Sequence, residues 1–298
     1  VTIPLTSNPP LITGVITIKD LNISSASTLV VPNGATLNVN GDLNMYSESN
    51  SYSGLIVRGI LSVDGTTKYH RYTNSLSNDN DLIAPPLTGQ SWSSFLTSDA
   101  DHNASLIFNN GGDPDTIYLF GPFEKGIVDD YVFYNNYDTM EMLTSGTGYR
   151  AATNSSNGAP LIFTGEIRTD DINIPIVNEV TGDYPEWNLI GNPYPAYIDK
   201  TIFLNHVTDS GVTNLSLLNE TSSAIYGYDA DTEGIDGSNW TITNFIKGPD
   251  LIAPGQGFYV SSKNPSATLE FTPEMQVIGA SDDFIIGRSA NTTDFMKL

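Results

Sequence analysis

Separate blocks in the middle of the chain return, in the same order, in its last third. Residues 80–96 (NDLIAPPLTGQSWSSFL) read against 187–204 (WNLIGNPYPAYIDKTIFL), residues 116–131 against 224–240, and residues 143–167 against 252–275. Leu82 falls on Leu189, Pro86 on Pro193, Phe95 on Phe203, Gly148 on Gly257, Tyr149 on Phe258 and Phe163 on Phe271. The offset between partners hardly changes from block to block. An offset held this steady across separate blocks calls for two copies of one supersecondary plan.

That plan is built from strands. Thr, Val, Ile, Tyr, Ser and Asn dominate, and 26 Gly and 17 Pro punctuate at short intervals, a composition that favours strands and turns. Helix signals are confined to two short stretches, 91–99 and 197–206. The first seventy residues are a series of very short alternating segments, TLVV, TLNVNG, LIVRG and ILSVDG, several closing on an Asn-Gly, Arg-Gly or Asp-Gly corner. Such corners suit a meander of hairpins or the rungs of a parallel β-solenoid; the shortness of the segments favours the solenoid. The expectation is an all-β protein: a short N-terminal β-solenoid (1–72), two duplicated β-sandwich or jelly-roll-like units (73–175 and 176–280), and a linker (281–298) to a missing domain.

The stretch EWNLIGNPYPAYID (186–199) is too apolar for a solvated linker and too broken by proline for a helix. It reads as a strand entering a Gly-Asn-Pro turn, since the residue before proline is pushed to extended geometry. Tyr194 and Tyr197 then cover the end of the second unit. In the functional reading, Trp187, Tyr194 and Tyr197 form a platform on which sugar rings stack. The GTGY and GQGF blocks lack the following helix and Lys-Ser/Thr of a phosphate loop; their glycines turn the chain into a strand whose aromatic residue enters the core.

Thirty-four acidic against 12 basic residues leave a net charge of −22. Such a surface repels nucleic-acid phosphates and anionic lipid heads, and no run of about 18 apolar residues is present, so neither nucleic acid nor membrane insertion is expected, whereas calcium suits it. In YDADTEGIDGSN, Asp229, Asp231, Glu233 and Asp236 alternate around a glycine, as in a calcium loop, but Trp240 stands where a bidentate glutamate belongs; the alternative is an acidic hairpin loop held by water. Without cysteine, disulfides and thiolate sites are excluded. The histidines His70, His102 and His206 lie far apart in sequence, and neither a Gly-x-Ser-x-Gly elbow nor a His-Glu-x-x-His motif is present. No catalytic residue is assigned, and no enzyme activity is expected.

The blocks WNLIGNPYPAYID, LIAPGQGFYV and GTGYRAA…FTGEI, preceded by short TLNVNG-type strands, resemble large secreted surface proteins of the Bacteroidota, the gliding and attachment adhesins and other multidomain cargo of the type IX secretion system. The resemblance covers residues 30–298 and implies export to the cell surface or medium. In that phylum the triplets DTI and DTM resemble an O-glycosylation sequon, which points to Thr116 and Thr139. The expected role is a non-catalytic segment of a surface adhesin, presenting or attaching, with neighbouring domains and surface polysaccharides as partners. The alternative is a carbohydrate-binding module of a polysaccharide-degrading enzyme, for which Trp92, Trp187 and Trp240 would have to be exposed.

Overall fold

Alternating residues put one face inside in several short N-terminal strands, those at 21–23, 36–39 and 43–48 among them. The computed structural model describes residues 1–6, 9–76, 80–111, 116–126, 130–155, 157–179, 181–228, 240–246 and 250–283, and it is mostly β, in several small sheets. The first ten strands are β1 (Thr2–Ile3), β2 (Val15–Ile18), β3 (Leu21–Ile23), β4 (Thr28–Val31), β5 (Thr36–Val39), β6 (Leu43–Glu48), β7 (Ser51–Tyr52), β8 (Gly54–Val57), β9 (Ile60–Val63) and β10 (Thr67–Leu76). β7 folds back on β6 as a hairpin. The others pair in parallel: β1 with β3, β3 with β6, β6 with β10, β2 with β5, β5 with β9, and β4 with β8. Partners stand one short coil apart along the chain, Thr2 beside Asn22 and Thr28 beside Gly54. Like therefore stacks on like: Ile23, Met45 and Tyr69 form one buried column, and Asn44 Nδ2 donates to Asn22 Oδ1 at 3.2 Å.

The next segment holds β11 (Asp81–Ile83), α1 (Trp92–Leu96), α2 (Ser98–Leu106), β12 (Phe108–Gly111), β13 (Thr116–Tyr118), β14 (Phe120–Glu124), β15 (Asp130–Tyr131), β16 (Tyr149–Ala151) and β17 (Asn157–Thr164). It is followed by β18 (Ile172–Ile176), β19 (Trp187–Gly191), β20 (Tyr197–Asp199), α3 (Lys200–Asn205), α4 (Asn214–Leu217), β21 (Ile225–Tyr228), β22 (Trp240–Thr243), β23 (Leu251–Ile252), β24 (Gly257–Ser261), β25 (Ala267–Phe271) and β26 (Gln276–Val277). The antiparallel sheet β11-β16-β14-β15 has its counterpart in β19-β24-β21-β22. The ladder β10–β17 likewise corresponds to β18–β25, with Tyr69 opposite Phe163 and Ile172 opposite Phe271. A buried asparagine ties helix to strand in each copy. Asn103 Nδ2 donates to the carbonyls of Phe95 and Ile162 and its Oδ1 accepts from Ile162 N–H. Asn214 does the same with Phe203 and Glu270.

Several expectations shift. β10 runs across the expected boundary at 72/73, pairing with β6 on one side and β17 on the other. Of the stretch 197–206, the first three residues are strand, and helix starts only where Asp199 Oδ1 caps the N–H groups of Thr201 and Ile202. The expected linker begins with docked residues: Tyr197 donates to Ser281 O at 2.6 Å, and Asp283 is buried.

The copies exchange edges. Ala84 N–H donates to Gly255 O at 2.8 Å, and its counterpart Gly191 N–H donates to Gly146 O at 2.9 Å. The glycines of the GTGY and GQGF blocks serve this approach rather than a simple turn. A Cβ on Gly257 would stand 2.8 Å from Ile83 N, and one on Gly148 2.7 Å from Ile190 O. Both contacts are with backbone, which yields little.

Arg71 joins all parts. Wholly buried, it donates to Gly255 O (3.2 Å), Tyr72 O and Asp283 Oδ2 (2.9 Å), lies 3.9 Å from Asp81 Oδ2, and covers the Tyr52 ring. Tyr52 in turn donates to Asp283 at 2.6 Å. Burial alone would lower the Arg71 pKa, but Tyr52, Asp81 and Asp283 hold it above its ordinary value. Removing a partner from a buried pair leaves an uncompensated charge, at a cost of about 3–5 kcal/mol. Asp283→Ala is expected to lower Tm by roughly 10 °C, and an unchanged melting curve would refute this role for the tail carboxylate. Gly257→Ala should cost about 2 kcal/mol through the forced shift of β11, read as an earlier midpoint in urea; a midpoint equal to the parent's would show that the edges separate freely.

Candidate functional site

The cross-strand partners of the two four-stranded sheets place aromatic rings together. In the first copy Phe123 stands opposite Tyr131, ring centroids 5.4 Å apart. In the second, Tyr228 stands opposite Trp240 at 5.3 Å. Because Arg150 of β16 and Tyr259 of β24 are counterparts, the register makes Gly121, not Tyr118, the counterpart of Tyr226. Leu82 and Leu189, themselves counterparts, pack with Tyr259 between the sheets.

A groove of about 560 Å³ opens at this junction. Phe123 and Tyr131 supply one side; Trp187, Tyr226, Trp240 and Tyr259 supply the rest. Tyr184 and Ile242 line it as well, both well exposed. The rings meet at steep angles: Trp187 to Tyr226 at 90°, Phe123 to Tyr259 at 83° and Trp240 to Tyr259 at 65°. Tyr131 and Tyr259 join hydroxyls at 2.5 Å. Trp240 is 44 % exposed, an unusual position for so large an apolar surface unless something covers it. The lining offers ring faces, ring edges and a few hydroxyls, and none of the eight lining residues is charged. Ring faces of this kind interact by stacking and through the ring quadrupole. A neighbouring cavity of about 410 Å³ shares Phe123 and includes Lys125 and Arg168, but Arg168 is held by both oxygens of Asp170 at 2.6 Å.

Of the expected stacking residues, only Trp187 lines this groove. Tyr194 and Tyr197 are fully buried and offer no face to a sugar. Tyr194 donates to the carbonyls of Asp170 and Phe271, and burial pushes its pKa well up. Asn192 Nδ2 ties down the carbonyls of Ala196, Ile252 and Ala253, and Pro195 O accepts from Leu55 of β8. The stretch 186–199 is thus a joint between the second copy and the N-terminal ladders. Trp92 is buried too, its Nε1 donating to Asn135 O at 2.9 Å. Trp240 is the exposed tryptophan. Asp229, Asp231, Glu233 and Asp236 lie outside the described residues. Thr139 is exposed in a turn, whereas Thr116 is half-buried in β13, its backbone bonded to Asn136.

The histidines are less scattered than their spacing suggests. His70 lies near His102, Lys68 and Asp99, with Tyr46 stacked on its ring at 4.5 Å. Burial pulls the His70 pKa down to about 4, so the imidazole is neutral at pH 7. His206 pairs instead with Glu270 at 3.1 Å. Among the described residues no group of three or more His, Asp or Glu side chains is arranged to hold a metal. Sequence reasoning missed Phe123, Tyr131, Tyr226 and Tyr259 as site residues, because only the cross-strand register and the packing of the copies bring them together.

No curated protein and no solved structure matches the chain. One family does, over residues 1–295. With nearly its whole length matched, the chain belongs to the family described as Domain of unknown function (DUF8693).

Proposed function

We propose that the chain is a non-catalytic, extracellular segment of a bacterial cell-surface adhesin or type IX-secreted protein, attaching to surface polysaccharide through the aromatic groove. The groove carries this reading: seven aromatic residues contributed by both copies line one opening. In this view the parallel ladders make a short β-solenoid, the copies are sandwich-like units, and Arg71 locks them into a rigid presenting scaffold for neighbouring domains. The acidic surface keeps such a scaffold soluble. Among the described residues no helix is long and apolar enough to cross a membrane. The second reading, a carbohydrate-binding module of a secreted polysaccharide-degrading enzyme, draws on the same rings of Trp187 and Trp240.

The test is a binding screen of surface glycans and polysaccharides on the purified chain. It is run with calcium and with chelator, because Asp229, Asp231, Glu233 and Asp236 are the candidate calcium ligands. Binding is expected, and Trp240→Ala should weaken it by about tenfold, the loss of one stacked ring. No binding in either condition, or a Trp240→Ala chain that binds as the parent does, refutes attachment through the groove. Loss on chelation, reproduced by Asp231→Ala, would assign calcium to that segment.

A further inference from the structure

The parallel ladders are covered at one end and open at the other. At the covered end β10 pairs with β17, Leu55 N–H of β8 donates to Pro195 O at 2.7 Å, and Arg58 Nη2 donates to Gln276 O at 3.4 Å. At the open end stand β1, the bridge of Leu11 to Val30, and β2. The inward-facing columns run out to this end. Ile16 continues the column of Leu37 and Leu61, yet it is 37 % exposed where Leu37 is buried. Leu5, Leu11 and Val15 are each more than half exposed. Among the described residues β2 pairs with no strand but β5. Gly14 O and Ile18 O accept from Thr36 and Asn40 on the β5 side. By the alternation of a parallel pair, the N–H and C=O groups of Val15 and Thr17 therefore point away from β5, along the free edge.

We infer that this open end is a dimer interface, in which β2 pairs with β2 of a second copy across a two-fold axis normal to the sheet. Proteins guard an edge strand with charge, proline or a bulge. Pro4, Pro9 and Pro10 punctuate the chain between β1 and β2, but β2 itself, VITI, has no charge and no proline. Charge selects the partner. Residues 1–63 hold two basic and three acidic side chains, and residues 1–18 hold none, in a chain of net charge −22. Two copies therefore repel over most of their surface and least at this end. Geometry selects the symmetry. Head-to-tail stacking would need the other end of a neighbour's ladders, where β17 and the carbonyls of Pro195 and Gln276 already sit. β9, the opposite edge of the β2 sheet, is flanked in sequence by Arg58 and Asp64. An edge that meets itself is isologous and closes at two copies. Such pairing is antiparallel and keeps like faces together, so Ile16 and Ile18 of one copy meet those of the other and cover the open columns. The inference stands apart from what the groove binds; if the groove attaches, the pair attaches twice.

The experiment follows the mass of the intact chain by sedimentation velocity from about 1 µM to about 200 µM, the range over which a small interface dissociates. Monomer is expected at the low end, dimer at the high end and nothing larger. Added salt, which screens the repulsion between the acidic surfaces, should strengthen the dimer. Val15→Lys sets like charges against each other from a side chain that is 71 % exposed, and should weaken association by about tenfold or more. Thr17→Pro removes an outward N–H at a position an edge strand tolerates, at the cost of the exposed bond from Asn38 Nδ2, and should abolish the dimer. Because proline also stiffens the strand, Val15→Lys stands as the independent variant, and circular dichroism checks both folds. Ile60→Lys, on β9, should leave the dimer unchanged. A monomer at every concentration, or a Val15→Lys chain that associates as the parent does, overturns the inference. So does loss of the dimer in Ile60→Lys or growth beyond two copies, either of which would mean head-to-tail stacking. Weakening by salt would place the contact on a charged surface and would equally overturn it.

Discussion

A cation without access to water sits where every part of this molecule meets. Arg71 comes from β10, Tyr52 from the hairpin of the parallel ladders, Asp81 from the first copy, Gly255 from the second and Asp283 from the tail. Desolvating a guanidinium is costly, and its partners offset that cost only when all are in place. The arrangement therefore couples the parts: none can leave without stranding charge. It also explains why the tail, after pairing through β26, returns to the N-terminal region.

The second dependency is the exchange of edges between copies. Ala84 with Gly255, and Gly191 with Gly146, form one contact made twice. It demands glycine where backbone meets backbone, and it sets the sheets side by side. The groove is a by-product of that closeness. The first copy brings its cross-strand pair Phe123 and Tyr131, and the second brings Trp187, Tyr226, Trp240 and Tyr259 to the same lining. Between the two sheets several counterparts differ, Tyr131 against Trp240 and Arg150 against Tyr259 among them, so the sides are chemically different on a similar scaffold.

Much of the architecture was legible in the sequence for a simple reason: period-two alternation and Asn-Gly or Asp-Gly corners report local backbone geometry, and the steady offset reports repetition. Partner choice was less legible. Tyr194 looked like a stacking residue because aromatic character does not reveal which way a side chain faces, and its carbonyl partners, Asp170 and Phe271, are distant in the chain. Trp92 and Trp240 look alike in sequence; one is the centre of an aromatic core and the other stands at the groove. The pairing of Asn103 and Asn214 with the equivalent strands escaped because their spacing is slightly wider than the offset of the apolar blocks. The acid-rich segment after Tyr228 stands out by charge, whereas the groove takes Trp240, the residue that follows it.

The double membership of β10 bears on how the chain assembles. Each parallel partner lies one short coil back along the chain, as Thr28 does from Gly54 and Leu43 from Thr67, so the loop to close is small. Tyr69, by contrast, must find Phe163 far downstream, beyond all four strands of the first antiparallel sheet. Loop-closure entropy and topology favour the nearer pairings first, and the N-terminal part of a chain leaves the ribosome first. The ladders then offer β10 as a finished edge, and the long search of β17 becomes docking onto a template. The second copy has no such template for β18, whose partner β25 lies about as far away; it borrows order from the first copy through the exchanged glycine edges. Topology thus favours assembly outward from the N-terminal ladders, with the second copy ordering against the first.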